Sequence, residues 1–330
     1  MNTAKKAVPF LLKPVGKDYL WVGERLRKEF GKDCGMNPLA ETWECSTHPD
    51  GISIVASGIY AGWNLKEVLK EHPEYLGYCS STDGELPIMI KLIDAQQNLS
   101  VQVHPDDEYA KTYENGQNGK TEMWYILDAA PDAHLVYGFC QAMSKSELQQ
   151  HLENSTIEPY LNWIPVKKGD VFFIKAGTVH GIGAGILLAE IQQSSNLTYR
   201  LYDYNRTDQN GNKRKLHIEK AIDVIDMSVS LPNDQPHPVK KEHDSCIKKL
   251  SSCPYFQVEH MTIKKKEDMC STIVPASEKF QILLCIDGNG KIDCGDKETM
   301  IFSKGNCIFV PANTDDLQLY GDSELLRVTI

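Results

Sequence analysis

The segment Gly169-Asp-Val-Phe-Phe-Ile-Lys-Ala-Gly-Thr-Val-His180 is the part of this sequence from which we predict the fold. It contains a Gly-Asp turn, an apolar strand and a turn of small residues. The same order recurs in Gly305-Asn-Cys-Ile-Phe-Val-Pro-Ala-Asn-Thr-Asp-Asp316, where Asp316 takes the place of His180. Upstream, Glu122-Met-Trp-Tyr-Ile-Leu has a counterpart in Glu278-Lys-Phe-Gln-Ile-Leu, but nothing near residue 260 repeats Gln102-Val-His104. These matches predict two related β modules.

The repeated pattern resembles cupin modules, which are small double-sheet jelly rolls whose inward-facing side chains can line a metal pocket. Because Gly-Asp turns are common to antiparallel sandwiches, two unrelated sandwiches are the alternative. We expect a mainly β protein with two cupin-type jelly rolls and a few helices attached to the N-terminal part. The segment 231–245 has three prolines and many charges, so we place a domain boundary there. The prediction is a catalytic cupin domain at 1–232 and a metal-free cupin-like domain at 246–330.

Helical signals are few and lie mostly in the first 230 residues. Amphipathic periodicity or capping residues predict helices over 17–30, 65–72, 148–152 and 216–227. Asn64 can cap the second of these helices, and Ser144 with Glu147 forms a capping box before the third.

The composition indicates an ordinary globular chain of 330 residues. Hydrophobic residues make up 41% and charged residues 24%, with a net charge of -10 at pH 7. This acidity argues against a general nucleic-acid or anionic-membrane binder, although an anionic substrate would still need a local basic pocket. The N-terminal apolar run is too short for a signal sequence or a membrane span, and none of the ten cysteines forms a CxxC pair. We therefore expect a cytoplasmic protein with reduced cysteines.

Four side chains near strand ends indicate a metal site. Gln102 and His104 are two residues apart in an alternating stretch that Pro105 ends, so both should leave one face of a strand. Glu122 opens a second strand and His180 ends a third. A single histidine is more often a surface or core residue than a ligand, but these two terminate apolar patterns in which an unpaired imidazole is costly to bury. Two imidazoles, a carboxylate and an amide oxygen suit zinc or another first-row divalent ion.

The ordered motifs resemble those of type I mannose-6-phosphate isomerases (phosphomannose isomerases) in their short bacterial form. The motifs are Glu41-Thr-Trp-Glu-Cys-Ser-Thr-His-Pro, Pro87-Ile-Met-Ile-Lys-Leu-Ile, Leu99-Ser-Val-Gln-Val-His-Pro-Asp-Asp, Gly119-Lys-Thr-Glu-Met-Trp-Tyr-Ile, Gly177-Thr-Val-His and Glu190-Ile-Gln-Gln-Ser-Ser-Asn-Leu-Thr-Tyr-Arg-Leu-Tyr-Asp-Tyr-Asn-Arg206. The resemblance implies interconversion of mannose 6-phosphate and fructose 6-phosphate through a cis-enediol(ate). It implies one zinc ion per chain, with the ligands Gln102, His104, Glu122 and His180. It also implies that Arg200 stabilises the enediolate.

Glu190 is the leading candidate for the general base. A carboxylate in the apolar strand Ile-Leu-Leu-Ala-Glu-Ile is costly to bury without a purpose. The alternative is a buried ion-pair partner, with Arg200 as the candidate cation. Lys91 and His48 are further candidates for acid-base chemistry or substrate contacts, and for both of them the alternative is a structural role.

The ligand strands also offer a phosphate site. Ser100 and Lys120 each precede a candidate ligand by two residues, so a hydroxyl and an ammonium should point into the pocket. Arg206 adds a second cation. The basic run 213–215 beside Asn210-Gly211 instead indicates a solvated hairpin tip. The family form Asn-His-Lys-Pro-Glu is replaced here by Lys-Thr-Glu, so no histidine adjoins Lys120.

Two functions of other classes fit part of the pattern. A cupin oxygenase with iron would use His104, His180 and Glu122, but Gln102 as a fourth ligand and the phosphate-compatible residues argue against it. A sugar-phosphate-binding regulator would keep the pocket without turnover. We expect a small sugar phosphate as the partner, no nucleic acid or membrane, and a monomer or homodimer.

Overall fold

The computed structural model describes residues 7–21, 23–78, 83–207, 210–228, 247–264, 271–294 and 299–330. Strands dominate these residues, as the alternating pattern predicts. The strands are β1 (Phe10–Lys13), β2 (Val15–Lys17), β3 (Glu41–Cys45), β4 (Ile54–Val55), β5 (Ile88–Ala95), β6 (Val101–Val103), β7 (Glu122–Ala129), β8 (His134–Phe139), β9 (Leu161–Pro165), β10 (Val171–Ile174), β11 (His180–Gly181), β12 (Ile186–Gln193), β13 (Tyr199–Tyr202), β14 (Ile247–Ser252), β15 (Gln257–Ile263), β16 (Ser271–Val274), β17 (Gln281–Asp293), β18 (Thr299–Ser303), β19 (Cys307–Val310) and β20 (Leu317–Thr329).

The helices are short. They are α1 (Arg25–Phe30), α2 (Leu65–Glu71), α3 (Asp107–Tyr113), α4 (Lys145–Glu153) and α5 (Ile218–Val224). Within the described ranges, no helix has the length and apolar character needed to cross a membrane.

The strands form three antiparallel sheets. A six-stranded sheet has the order β10-β7-β12-β5-β3-β2, and a five-stranded sheet has the order β13-β6-β11-β8-β9. The third sheet has nine strands, with β14-β15-β20-β17-β19-β1-β4 as its main path, β16 on β20 and β18 on β17. The first two sheets form the N-terminal jelly roll, and the third encloses the core of the C-terminal module. The predicted mainly β fold with two cupin-type modules is confirmed.

The six-stranded sheet lies at the centre of the protein and is buried on both faces. Every residue of β5 and β12 is buried. One face, which includes Met123, packs in an apolar cluster with Ile282 of the nine-stranded sheet. The other face, which includes Trp124, packs in a second cluster with Leu135 of the five-stranded sheet. Because side chains alternate along a strand, polar residues on this second face are enclosed between two sheets.

The C-terminal module includes the first described strand of the chain. β1 pairs with β19, and the rings of Phe10 and Phe309 stack with their centroids 5.1 Å apart. Burying such a side chain contributes about 1.5–3 kcal/mol to folding. β1 lies within the predicted domain 1–232, and its pairing with β19 and β4 connects this part of the chain to the nine-stranded sheet. The predicted boundary at 231–245 lies outside the described residues.

In the second copy of the repeat, the aspartate joins two segments of the C-terminal module. Asp316, at the position of His180 in the repeat, accepts a hydrogen bond from the Ala276 N–H at 2.7 Å. The core of this module contains Leu283 and Phe302.

The predicted capping residues are confirmed. The side chains of Asn64 and Ser144 each accept a hydrogen bond from the backbone N–H three residues later, at the starts of α2 and α4. The helix predicted over 216–227 is present as α5.

Two element predictions are wrong in extent. The helix predicted over 17–30 is limited to α1, because Asp94 accepts the Arg25 N–H at 2.8 Å and so sets the helix start there. The segment 169–180 is two strands in different sheets, β10 and β11. Gly177, with a φ of 87°, supplies the left-handed turn that lets the chain cross between the sheets.

Candidate active site

The four predicted metal ligands lie in or beside strands that meet between the five-stranded and six-stranded sheets. Gln102 on β6 lies opposite His180 on β11. His104 directly follows β6, and Glu122 opens β7 of the other sheet. The ligand atoms of His104, Glu122 and His180 lie within 4.8 Å of one another, and all three side chains are buried. Three strands therefore converge on one point.

The two imidazoles present their Nε2 atoms to this point. His104 Nδ1 lies 2.8 Å from the Leu197 carbonyl oxygen and His180 Nδ1 lies 2.9 Å from that of Thr178, so each ring donates from Nδ1. Both Nε2 atoms lie 3.4 Å from an oxygen of Glu122. Burial lowers the pKa of both imidazoles, and that of His104 falls to about 3. The rings are therefore neutral, with their lone pairs facing a carboxylate.

Hydrogen-bond acceptors that face one another in a buried space need a cation between them. Glu122 Oε1 accepts no hydrogen bond from the described residues, and the Lys120 ammonium lies 2.7 Å from Oε2. The amide nitrogen of Gln102 lies 3.3 Å from His180 Nε2, and rotating the amide brings its oxygen to the same place. Two neutral imidazoles, a carboxylate and an amide oxygen form a donor set that fits Zn²⁺. These residues therefore fit the predicted metal.

Lys120 supplies a positive charge beside the ligands. Its Nζ lies 2.7 Å from Glu122 Oε2 and 3.1 Å from His104 Nε2. Burial alone would raise the pKa of the Glu122 carboxyl. The adjacent Lys120 ammonium has the opposite effect and helps to hold this pKa well below its usual range. Lys120 is 4% exposed and also lies 3.8 Å from Glu190. Lys120, which the sequence predicts to contact the phosphate, therefore lies at the centre of the site.

A row of charged side chains continues from the ligands along the six-stranded sheet. The pairing of β12 with β5 sets Glu190 opposite Lys91, and Glu190 Oε1 lies 2.9 Å from Lys91 Nζ. The indole N–H of Trp124 donates to the other oxygen of Glu190 at 3.0 Å. Burial opposes the charge of Lys91, yet Glu190 and Glu41 together raise its pKa. The buried ion-pair partner of Glu190 is Lys91, not the Arg200 suggested by the sequence.

Glu41 is a member of this row that the sequence analysis missed. Its carboxylate accepts the Trp43 indole N–H at 3.2 Å, and burial raises its pKa. Trp43 lies opposite Lys91 in the pairing of β3 with β5. The available signal was the alternation of the strand, which sends Glu41 and Trp43 to one face. His48 lies at the rim, with its ring centroid 6.0 Å from that of Trp43, and burial lowers its pKa.

Arg200 reaches the site from the five-stranded sheet. It lies on β13, opposite Gln102 of β6. Its Nε donates to Ser100 Oγ at 3.3 Å, and its Nη1 donates to the Lys215 carbonyl oxygen at 2.8 Å. Burial, aided by the nearby Arg214, lowers the pKa of Arg200. The structure therefore brings the predicted residues Ser100 and Arg200 together.

Arg206 and Arg214 share one carboxylate near this pair. Both donate to Asp203, and Arg206 also donates to a backbone carbonyl oxygen. The Arg214 guanidinium lies over the Trp21 ring at 5.6 Å from its centroid. The prediction of a solvated hairpin tip at 213–215 is wrong for Arg214, because its guanidinium contacts the Asp203 carboxylate and the Trp21 indole. Three arginines with one carboxylate leave an excess of positive charge near Ser100.

Comparisons with known proteins match both parts of the chain. A model of the phosphomannose isomerase type I catalytic domain matches residues 10–157, and a model of the mannose-6-phosphate isomerase cupin domain matches residues 246–330. Mannose-6-phosphate isomerase ManA of Bacillus subtilis is 37% identical, with 96% of this chain and 98% of that protein covered. The mannose-6-phosphate isomerase of Streptococcus mutans is 38% identical, with 97% and 98% covered.

Solved structures agree with these matches. The crystal structure of mannose 6-phosphate isomerase from Bacillus subtilis has a TM-score of 0.87 at 34% identity, with 98% of this chain and 100% of that chain covered. The apo form of the Salmonella typhimurium enzyme has a TM-score of 0.76 at 16% identity, with 98% and 99% covered, and shares the fold. The chain belongs to the type I phosphomannose isomerase family.

Proposed function

We propose that this protein interconverts mannose 6-phosphate and fructose 6-phosphate with one zinc ion per chain. The observation that carries the proposal is the buried cluster of His104, Glu122 and His180, whose ligand atoms meet beside the ion pair of Lys91 and Glu190. Aldose–ketose isomerisation needs a positive centre for the sugar oxygens and a carboxylate for the moving proton. Relatives that carry the name of this isomerase match over nearly their full length, which supports the same activity here.

Gln102, His104, Glu122 and His180 would hold the zinc ion. With one carboxylate among four ligands, a bound ion keeps a net positive charge and polarises the sugar oxygens. The hydrogen bonds from the Nδ1 atoms of both histidines to backbone carbonyl groups orient the rings for this task.

Glu190 is the general base of the proposed mechanism. Isomerisation moves a proton between C2 and C1 of the open-chain sugar and passes through a cis-enediol(ate). The Glu190 carboxylate is oriented by the Lys91 ammonium on one oxygen and by the Trp124 indole N–H on the other. Lys91 and Arg200 are the cations that offset the negative charge developing on the enediolate.

The phosphate group of the sugar is assigned to the arginine side of the site. Arg206 and Arg214 offer planar donors that suit a dianion, and Ser100 adds a hydroxyl. Lys120 and His48 are further substrate contacts in this proposal, Lys120 from the metal side and His48 from the rim.

The test is an isomerase assay coupled to consumption of fructose 6-phosphate, on protein stripped by a chelator and then reloaded with zinc. We expect no turnover without metal and recovery at one zinc per chain. Folded, zinc-loaded protein that binds mannose 6-phosphate without forming product would refute the proposal in favour of a regulator. Oxygen consumption by the iron(II)-loaded protein, without isomerase activity, would favour the cupin oxygenase.

A further inference from the structure

A tyrosine of the C-terminal module reaches the segments that carry the metal ligands. Tyr255 lies between β14 and β15, and its hydroxyl donates to Asp107 Oδ2 at 2.7 Å. Asp107 is the first residue of α3, three positions after His104. This hydrogen bond therefore connects the nine-stranded sheet to the N-terminal jelly roll close to a metal ligand.

The other oxygen of Asp107 joins two more segments. Oδ1 accepts the Gly119 backbone N–H at 2.8 Å and the side-chain amide N–H of Gln193 at 3.0 Å. The Gln193 side-chain oxygen accepts the Thr121 backbone N–H at 2.8 Å. Thr121 directly precedes Glu122. One carboxylate thus connects the start of α3, the segment before β7 and the end of β12.

The segment before β7 also packs closely against the start of α3. A Cβ atom on Gly119 would lie 2.4 Å from the carbonyl carbon of Asp106, so no side chain fits there. His104, directly after β6, precedes this junction, and Glu122, the first residue of β7, follows it. A displacement of the junction therefore changes the distance between two metal ligands.

We propose that Tyr255 is a positioning residue through which the C-terminal module holds His104 and Glu122 at metal-binding distance. The inference rests on the metal site of the proposed function, and it gives the C-terminal module a role in that site without any contact to substrate. The hydrogen bond to Asp107 raises the pKa of Tyr255 to about 12. The same bond, acting against burial, lowers the pKa of Asp107, as a phenol donating to a carboxylate should.

The variant Tyr255→Phe tests this role because it removes only the hydroxyl. Two quantities are measured: amide hydrogen exchange at Gly119 and Thr121 in metal-free protein, and zinc affinity by competition with a chelator. Loss of a hydrogen bond to a charged group should speed exchange at both amides about ten-fold and weaken zinc binding about ten-fold. Tyr320→Phe is the matched control, since the Tyr320 hydroxyl donates to Gln318 within the C-terminal module, and it should change neither quantity.

A double variant separates this route from a general loss of stability. If Tyr255 acts through Asp107, combining Tyr255→Phe with Asp107→Ala should weaken zinc binding no more than Asp107→Ala alone, because alanine offers the hydroxyl no partner. Additive losses, unchanged exchange at the two amides, or faster exchange throughout the nine-stranded sheet would each overturn the inference. Amide exchange is measured without metal or substrate, so its result does not depend on whether the protein is an isomerase. Failure of the proposed function would be seen in the isomerase assay alone.

Discussion

Replacing Glu190 with glutamine separates proton transfer from charge balance in the site. The buried centre holds the carboxylates of Glu41, Glu122 and Glu190 and the ammonium groups of Lys91 and Lys120. The change preserves the side-chain shape and an oxygen for the neighbouring indole N–H, but it removes a negative charge 2.9 Å from Lys91 Nζ. Removing one partner of a buried pair costs about 3–5 kcal/mol, and because Glu41 still attracts Lys91 we expect about 3 kcal/mol.

The loss of catalysis should exceed what the loss of stability explains. A positioned general base contributes about 10²–10⁴-fold, so kcat of the folded, zinc-loaded variant should fall about 10³-fold. Formation of fructose 6-phosphate, zinc content and denaturant unfolding are measured on the same preparation. Zinc should stay near one per chain, since the ligand cluster consists of His104, Glu122 and His180 with Gln102 beside it.

Glu44→Gln is the matched control for this experiment. Glu44 is buried with its Oε2 2.6 Å from Lys32 Nζ, so the same chemical change is made in a second buried ion pair outside the proposed site. It should reduce the free energy of unfolding by a similar amount and leave kcat unchanged. If Glu190→Gln keeps kcat within about ten-fold of the original enzyme with zinc bound, Glu190 is only the counter-ion of Lys91 and its assignment as base is refuted. Loss of zinc would instead place Glu190 in the metal shell.

Other perturbations address the metal ligands, the arginines and the pH dependence. Glu122→Gln should lose its zinc on dialysis because the only anionic ligand is replaced by an amide; one zinc per chain in the dialysed variant would contradict the ligand assignment. Arg214→Ala should raise KM for mannose 6-phosphate about ten-fold with little change in kcat, and steady-state kinetics with an unchanged KM would remove Arg214 from the phosphate site. Burial lowers the pKa of His104 from 6.5 to about 3, so protons bind preferentially to the unfolded chain. The free energy of unfolding of metal-free protein should therefore fall below pH 6.5 by about 1.4 kcal/mol per pH unit from this group, and His104→Gln should remove that part of the slope in denaturant titrations.

The candidate metal ligands could be predicted because short-range geometry specifies them. Because side chains alternate along a strand, those of Gln102 and His104 project from the same face, and Pro105 ends the strand directly after them. The sheets in which the strands lie could not be predicted in the same way. The segment 169–180 has the pattern of one strand, but the left-handed turn at Gly177 divides it between two sheets.

The partners of the charged residues depend on contacts between distant parts of the chain. Lys91 faces Glu190 only because β5 pairs with β12 in one particular register. Arg214 lies in a run of basic residues typical of an exposed hairpin, yet its guanidinium donates a hydrogen bond to the Asp203 carboxylate. No local pattern encodes either contact.

The sequence by itself determined the β class, the two-module repeat and the candidate metal ligands, because alternation, turn residues and ligand chemistry are properties of short segments. Only the tertiary structure decided which buried charges pair, which arginine contacts Ser100 and how the C-terminal module reaches the ligand segments. The physical reason is that strand register and the packing of one sheet on another join residues that are remote along the chain.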